Sequence, residues 1–235
     1  YHAILDGLHK RLAANGQNFA TVDDDRLTKL LAEQIEEHTA QDAFIAKFVA
    51  RSDHSAFILA NAAEILADCV LEIARMARAG SFQPVLSEVG YGRPRDAQEN
   101  LGAFELPLPD GRVLSLSGKI DRLDVAEVEG RRIALVFDYK RTEAGTRFSW
   151  SHFYHGLNVQ LPLYLLALSD VPGGKVDGVA GAFCFPIEHT PAGAALEGLA
   201  QKADTFRRKA KGFFNGEYYQ HLDHEAQSGW SRFYS

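Results

Sequence analysis

Apolar residues recur at helical spacing through the first third of the chain and at strand spacing through its middle. Ile4, Leu5, Leu8 and Leu12 share one helical stripe, with His9, Lys10 and Arg11 between them. The carboxylates of Asp23, Asp24 and Asp25 suit the start of a second helix, where free N–H groups carry partial positive charge. Leu27, Leu30, Leu31 and Ile35 carry its stripe, and Phe44, Ile45 and Phe48 continue it. A third helix is expected from Ser55 to Ala79, with Gly80 as its stop.

After Gly80 the period shifts to two. Pro84–Val89, Phe104–Leu106, Val113–Ser117 and Ile120–Val125 read as strands, with Pro109-Asp110-Gly111 as a turn. Glu129-Gly130 turns the chain into Ile133–Lys140, which is nearly all apolar until its end, as a central strand should be. A helix is expected from Trp150 to Leu168, with Pro162 either kinking it or marking its first turn. Val176–Phe185 is a further strand, and Lys202, Arg207, Arg208, Lys209 and Lys211 define a basic helix in the tail. This order predicts an α/β fold. A central mixed sheet of at least four strands should lie between Val85 and Phe185, flanked by helices. Residues 1–80 form an N-terminal helical lobe whose first helix packs on the core, and residues 81–235 form the core with its C-terminal basic helix.

Hydrophobic residues make up 46% of the 235 and charged residues 24%, which excludes a disordered chain. The net charge of −6 argues against a general nucleic-acid coat protein but leaves room for a local site that handles nucleic acid. Cys69 and Cys184 are too few for a disulfide framework or a cysteine zinc site. No run approaches membrane-spanning length and no signal pattern opens the chain, so an intracellular protein with no membrane partner is expected. Tyr1 stands where a start methionine would, within an apparent helix, which reads as a piece of a longer polypeptide. Neither a Gly-x-Ser-x-Gly elbow nor a P-loop supports an unrelated α/β hydrolase.

Chemistry concentrates in Gly118–Asp124 and Phe137–Lys140. Alternation on a strand puts Asp138 and Lys140 on one face and the Tyr139 side chain on the other. Asp121, on the neighbouring strand of the hairpin, can converge on Asp138. Two such carboxylates repel unless a divalent cation lies between them, and Mg²⁺ suits oxygen ligands of this kind. Lys140 could then orient or deprotonate a water and counter the charge developing on a phosphate. The plainer alternative is a solvated hairpin end with an incidental salt bridge. Asp124, farther along the strand, is read as a rival carboxylate on the same face as Asp121. Arg122, Arg141 and Arg147 flank the site and could hold phosphates, or be ordinary surface charges. His152 and His155 could be read as a metal pair, but contact with DNA or solvent is the better reading. The run Arg207-Arg208-Lys209-x-Lys211 could track a DNA backbone or be a solvated helix face.

Gly118-x-x-Asp121, Asp138-Tyr139-Lys140 and Gln160-x-x-x-Tyr164, in this order, resemble the PD-(D/E)xK nuclease superfamily. More narrowly they resemble its RecB-type exonuclease branch, which includes the nuclease domains of RecB, AddA and AddB. His2, followed by Ala3-Ile4-Leu5-Asp6, matches the helical histidine that precedes the sheet in that branch. The likeness runs from His2 to about Asn215, and Phe213–Glu217 is similar to the AddB-like C-terminal region.

The resemblance implies a restriction-endonuclease-like core in which His2, Asp121, Asp138 and the Tyr139 main-chain carbonyl bind Mg²⁺ or Mn²⁺. It implies catalysis by Lys140 with Asp138 and Asp121, Asp121 being preferred to Asp124 by its Gly-x-x-Asp context. Gln160 and Tyr164 would line the entrance, either as DNA contacts or, more plainly, as a ring packed on the sheet and a cap at Pro162. Arg122 and Arg141 would bind substrate, and Glu88 on the first strand would support the ligands without binding the metal. The substrate would be DNA and the partner a helicase region or subunit, in cytoplasmic, nucleoid-associated recombinational repair of the bacterial type. Cys69 and Cys184 match neither position of the four cysteines that hold an iron–sulfur cluster in AddB-type domains, so no cluster is expected within these residues. Cys184 is expected to pack in the core. A catalytically silent scaffold that guides a strand is the alternative; it should have lost one of His2, Asp121, Asp138 or Lys140, and none is lost.

Overall fold

The computed structural model describes residues 1–92, 100–169, 176–189, 208–227 and 230–235. Four helices come first: α1 (His2–Ala14), α2 (Asp24–Gln41), α3 (Ala43–Val49) and α4 (Asp53–Ala79). Asp23 caps α2 by accepting the Arg26 N–H at 2.8 Å, and Asp24 and Asp25 occupy its first turn. Contrary to expectation, the second helix does not run on through Phe44, Ile45 and Phe48. Asp42 takes an extended conformation and accepts the N–H groups of Phe44 and Ile45, which ends α2 and starts α3. Gly80 does stop α4, but not through a left-handed cap. Its backbone is extended, and a Cβ there would meet the Leu222 carbonyl oxygen at 2.3 Å, so glycine serves the close passage of the C-terminal segment.

The strands are β1 (Gln83–Tyr91), β2 (Phe104–Pro107), β3 (Val113–Leu116), β4 (Gly118–Val128), β5 (Arg131–Thr142), β6 (Gly178–Glu188) and β7 (Lys211–Phe214). Five of them form one mixed sheet in the order β1-β4-β5-β6-β7, parallel only between β5 and β6. Glu129 and Gly130, both with positive φ, make the two-residue turn between β4 and β5. β2 and β3 stand apart as a separate two-stranded ribbon.

The expected helix from Trp150 to Leu168 is two helices, α5 (Trp150–Tyr154) and α6 (Gln160–Ser169). Pro162 lies in the first turn of α6, where a missing N–H forfeits no helical hydrogen bond. α7 (Tyr219–Leu222) is short. Lys202 and Arg207 of the expected basic helix lie outside the described residues. Lys211 belongs to β7, and Arg208 is buried against Glu72 at 2.8 Å and the Ile187 carbonyl, so it tracks no DNA backbone.

Each sheet face is covered. Leu5, Leu8, Leu27 and Ile73 of the N-terminal helices share a core with Leu135, Phe137 and Phe183. On the other face Leu161, Ala167 and Leu168 of α6 pack on Ile120, Leu123, Ala134 and Cys184. Leu8, Leu27, Ile73 and Phe137 are fully buried, each stabilising the fold by about 2 kcal/mol. Alternation along β5 therefore aims odd positions at the N-terminal helices and even positions at α6. Among the described residues no helix is long and apolar enough to cross a membrane.

Candidate active site

β4 and β5 part company where the charged residues begin. Their ladder ends at Arg122 paired with Phe137, while β1 stays with β4 to Gly118 and β6 stays with β5 to Thr142. Asp121 and Asp138 are the next residues on the two diverging strands. The Tyr139 N–H, released from the ladder, donates to Asp121 Oδ2 at 2.7 Å, so a carboxylate fills the fork.

Asp138 is buried and faces α6. Its Oδ1 accepts from Gln160 Nε2 at 2.7 Å and from the Tyr164 hydroxyl at 3.1 Å. Its Oδ2 lies 2.6 Å from Lys140 Nζ, yet is buried without a well-directed hydrogen bond. Lys140 Nζ donates to Gln160 Oε1 at 2.7 Å, and Gln160 Nε2 also donates to the Tyr164 hydroxyl at 2.7 Å. Burial first, and the Asp121 charge second, push the Asp138 carboxyl above its ordinary range; the Lys140 ammonium pulls it back.

α1 delivers the imidazole from the other side. His2 Nε2 lies 3.1 Å from the Tyr139 carbonyl oxygen and 3.4 Å from Asp121 Oδ2. Its hydrogen bond with the Asp121 carboxylate holds the imidazole above its ordinary pKa, against a smaller opposing effect of burial. A cavity of about 10 Å³, near the size of one water, is lined by His2, Asp6, Glu88, Asp121 and Tyr139. Glu88 adopts positive φ (50°), a conformation few non-glycine residues take, and pairs with Lys119 at 3.2 Å.

Several expected positions differ. Arg122 does not face substrate: it is 2% exposed, on the sheet face covered by the N-terminal helices, with its guanidinium 3.9 Å above the Phe137 ring. Asp124 is no rival to Asp121. It is 2% exposed and engaged by Arg122, accepting both its Nε at 2.8 Å and its Nη2 at 3.1 Å. Burial pushes the Asp124 carboxyl up to about 6, and the Arg122 charge opposes this. Tyr164, 4% exposed, cannot stack on an incoming base; its ring packs in the core and only its hydroxyl reaches the site. Arg141 is exposed and pairs with Glu188 at 3.0 Å. Arg147, His152 and His155 are exposed. Cys69 and Cys184 are buried free thiols, and Cys184 packs in the core as expected.

One chain of polar groups is not anticipated from the sequence. Ser87 donates to Asp6 Oδ1 at 2.6 Å and contacts His9 Nδ1 at 3.2 Å, beneath His2. Its one sequence signal is that Asp6 and His9 follow His2 by four and seven positions on one helix stripe.

Among the described residues no three His, Cys, Asp or Glu side chains form a ready-made cage. The donors nonetheless fit a divalent cation: the Asp121 carboxylate and the Tyr139 main-chain carbonyl lie within 3.4 Å of His2 Nε2, and the buried Oδ2 of the adjoining Asp138 has Lys140 beside it but no well-directed hydrogen bond. Oxygen donors with a single nitrogen suit Mg²⁺ or Mn²⁺.

The family model of the PD-(D/E)XK nuclease superfamily matches residues 1–227. The chain belongs to that superfamily. Three similar proteins are named as subunits of an ATP-dependent helicase/deoxyribonuclease. The one from Lacticaseibacillus paracasei is 27% identical over 188 residues, that from Desulforudis audaxviator 31% over 193, and that from Symbiobacterium thermophilum 31% over 204. Each alignment covers 80% of this chain and 16% of the relative. The chain thus spans about one sixth of the length of these PD-(D/E)XK relatives, and its mixed five-stranded sheet between helical layers is the fold expected of the superfamily.

Proposed function

We propose that this domain is a Mg²⁺- or Mn²⁺-dependent deoxyribonuclease that hydrolyses phosphodiester bonds exonucleolytically. The observation that carries the reading is that Asp121 and Asp138 stand directly where the β4–β5 ladder ends, with Lys140 at 2.6 Å from Asp138. His2, Asp121, Asp138 and the Tyr139 carbonyl would hold the cation. When bound, the cation supplies Lewis acidity and a lowered pKa for an attacking water. Lys140, fixed by Gln160, is placed to orient that water and to counter charge on the phosphate oxygens. Tyr164 and Gln160 orient Asp138. Glu88 with Lys119 supports the wall behind Asp121, and Arg141 is available to a phosphate.

The names of the relatives support DNA as substrate and a helicase region or subunit as partner, and the proposed setting is recombinational repair in the cytoplasm. Within such an assembly residues 1–80 are a helical lobe that brings His2 to a nuclease core of residues 81–235. A silent scaffold would not need Lys140 held between Asp138 and Gln160, which favours catalysis. The test is a nuclease assay on single- and double-stranded DNA with Mg²⁺, Mn²⁺ or EDTA, beside Asp138→Ala. Cleavage that needs the metal and is lost in the variant is expected. Metal-independent cleavage, or none by the wild type, refutes the reading.

A further inference from the structure

The segment from Gly145 to Gln160 leaves Lys140 and returns to it. A Cβ at Gly145 would lie 3.1 Å from Lys140 Cβ, and Gln160 Oε1 accepts from Lys140 Nζ at 2.7 Å. Between these anchors three large side chains are exposed: Trp150 is 64% exposed, Tyr154 85% and Leu157 74%. Trp150 is nevertheless fixed, with its ring 5.0 Å from Phe148 and 5.6 Å from Phe213. The Tyr154 ring lies 5.3 Å from that of His155. Charge separates this arc from the rest of an acidic chain. No Asp or Glu occurs between Glu143 and Asp170, whereas Arg147, His152 and His155 are all exposed within it.

Resting on the nuclease reading above, we infer that Trp150 and Tyr154 form a stacking platform that seats unpaired bases of the DNA strand whose backbone enters at Lys140. Trp150, braced by Phe148 and Phe213 and open to solvent, presents a π-face that any base can cover at little cost in side-chain entropy, and Tyr154 follows it by four positions on the same short helix. An acid-free stretch of chain around it lowers the repulsion that the net charge of −6 imposes on phosphates elsewhere. Bases in a duplex are already stacked, so the platform discriminates for single strands.

The experiment measures anisotropy of fluorescein-labelled oligo-dT and of a duplex of equal length, in EDTA so that nothing is cut. Tyr154→Ala, at a position that buries almost nothing, should weaken oligo-dT binding at least about 5-fold, the low end for a lost base–aromatic stack, and leave duplex binding unchanged. Trp150→Leu should do the same while Trp150→Phe retains most of the affinity. In a Trp230→Phe background, oligo-dT should quench the remaining Trp150 fluorescence. Wild-type affinity for oligo-dT in both Tyr154→Ala and Trp150→Leu overturns the platform, even if the protein cleaves DNA. Failure of the nuclease reading looks different: oligo-dT binding that depends on Tyr154, with no cleavage in Mn²⁺.

Discussion

The Gln160 side chain accepts a hydrogen bond from the Lys140 ammonium at 2.7 Å and donates, through its amide nitrogen, to Asp138 Oδ1 at the same distance. One amide thus holds both members of the Asp138–Lys140 pair, from a helix that begins at Gln160 itself. Gln160→Ala leaves the strand and its carboxylates in place but frees the ammonium to move. Turnover should fall about 10-fold or more, as expected for a catalytic group that loses its orientation, with the melting temperature nearly unchanged. Steady-state kinetics beside a thermal melt checks both.

Lys140→Ala removes the charge that opposes the upward shift of the Asp138 carboxyl. Turnover should drop by at least about 10²-fold, the low end for a general acid–base or electrostatic group. Mn²⁺ affinity should be equal or higher, because the ammonium no longer competes for the carboxylate. Because imidazole is a poor ligand for Mg²⁺ and a better one for Mn²⁺, wild-type cleavage should be at least as fast with Mn²⁺. Calorimetric titration and single-turnover cleavage separate these effects.

Asp124 and Asp121 should behave oppositely. Asp124→Ala strands the buried Arg122 guanidinium and should cost about 3–5 kcal/mol of stability, with cleavage per folded molecule retained. Asp121→Asn keeps shape and packing, so it should barely change stability and abolish cleavage. Urea unfolding with activity normalised to folded protein decides between them.

His9 gives the fold a pH dependence. Burial first, and the Arg122 charge second, push its imidazole down to about 4 from 6.5. Between those values the unfolded chain binds a proton that the native state refuses, so this contribution to stability falls as pH drops from 6.5 towards 4. Its full size is about 3 kcal/mol. The raised carboxyl of Asp124 works in the other direction over part of this range, so the difference between wild type and His9→Gln isolates the effect. That difference should shrink steadily on acidification; a difference constant with pH contradicts it.

Much of the site is legible in the chain because it depends on short-range alternation. Asp138 and Lys140 are two apart on a strand that reads as central, so their common face follows from the pleat. Helix starts marked by Asp23 and strands β4 and β5 are equally plain. Asp124 is misplaced because nothing in the spacing shows that Arg122, two positions before it on the strand, engages its carboxylate inside the core. Tyr164 and Arg122 show a different limit: both carry polar ends suited to a DNA contact, but only the packed fold shows that their bodies fill the core. The Asp6–Ser87–His9 chain joins residues 78 or more positions apart, and no local pattern reports such a contact. The break at Asp42 is hidden because the apolar stripe runs straight through it.

The shared cation at the strand fork is tested most directly by the Mn²⁺ binding isotherm, measured by titration calorimetry on the wild type, Asp121→Asn and Asp138→Asn. Binding by the wild type, weakened in each variant with the fold intact, is the expected result. Equal Mn²⁺ affinity in all three proteins would contradict it.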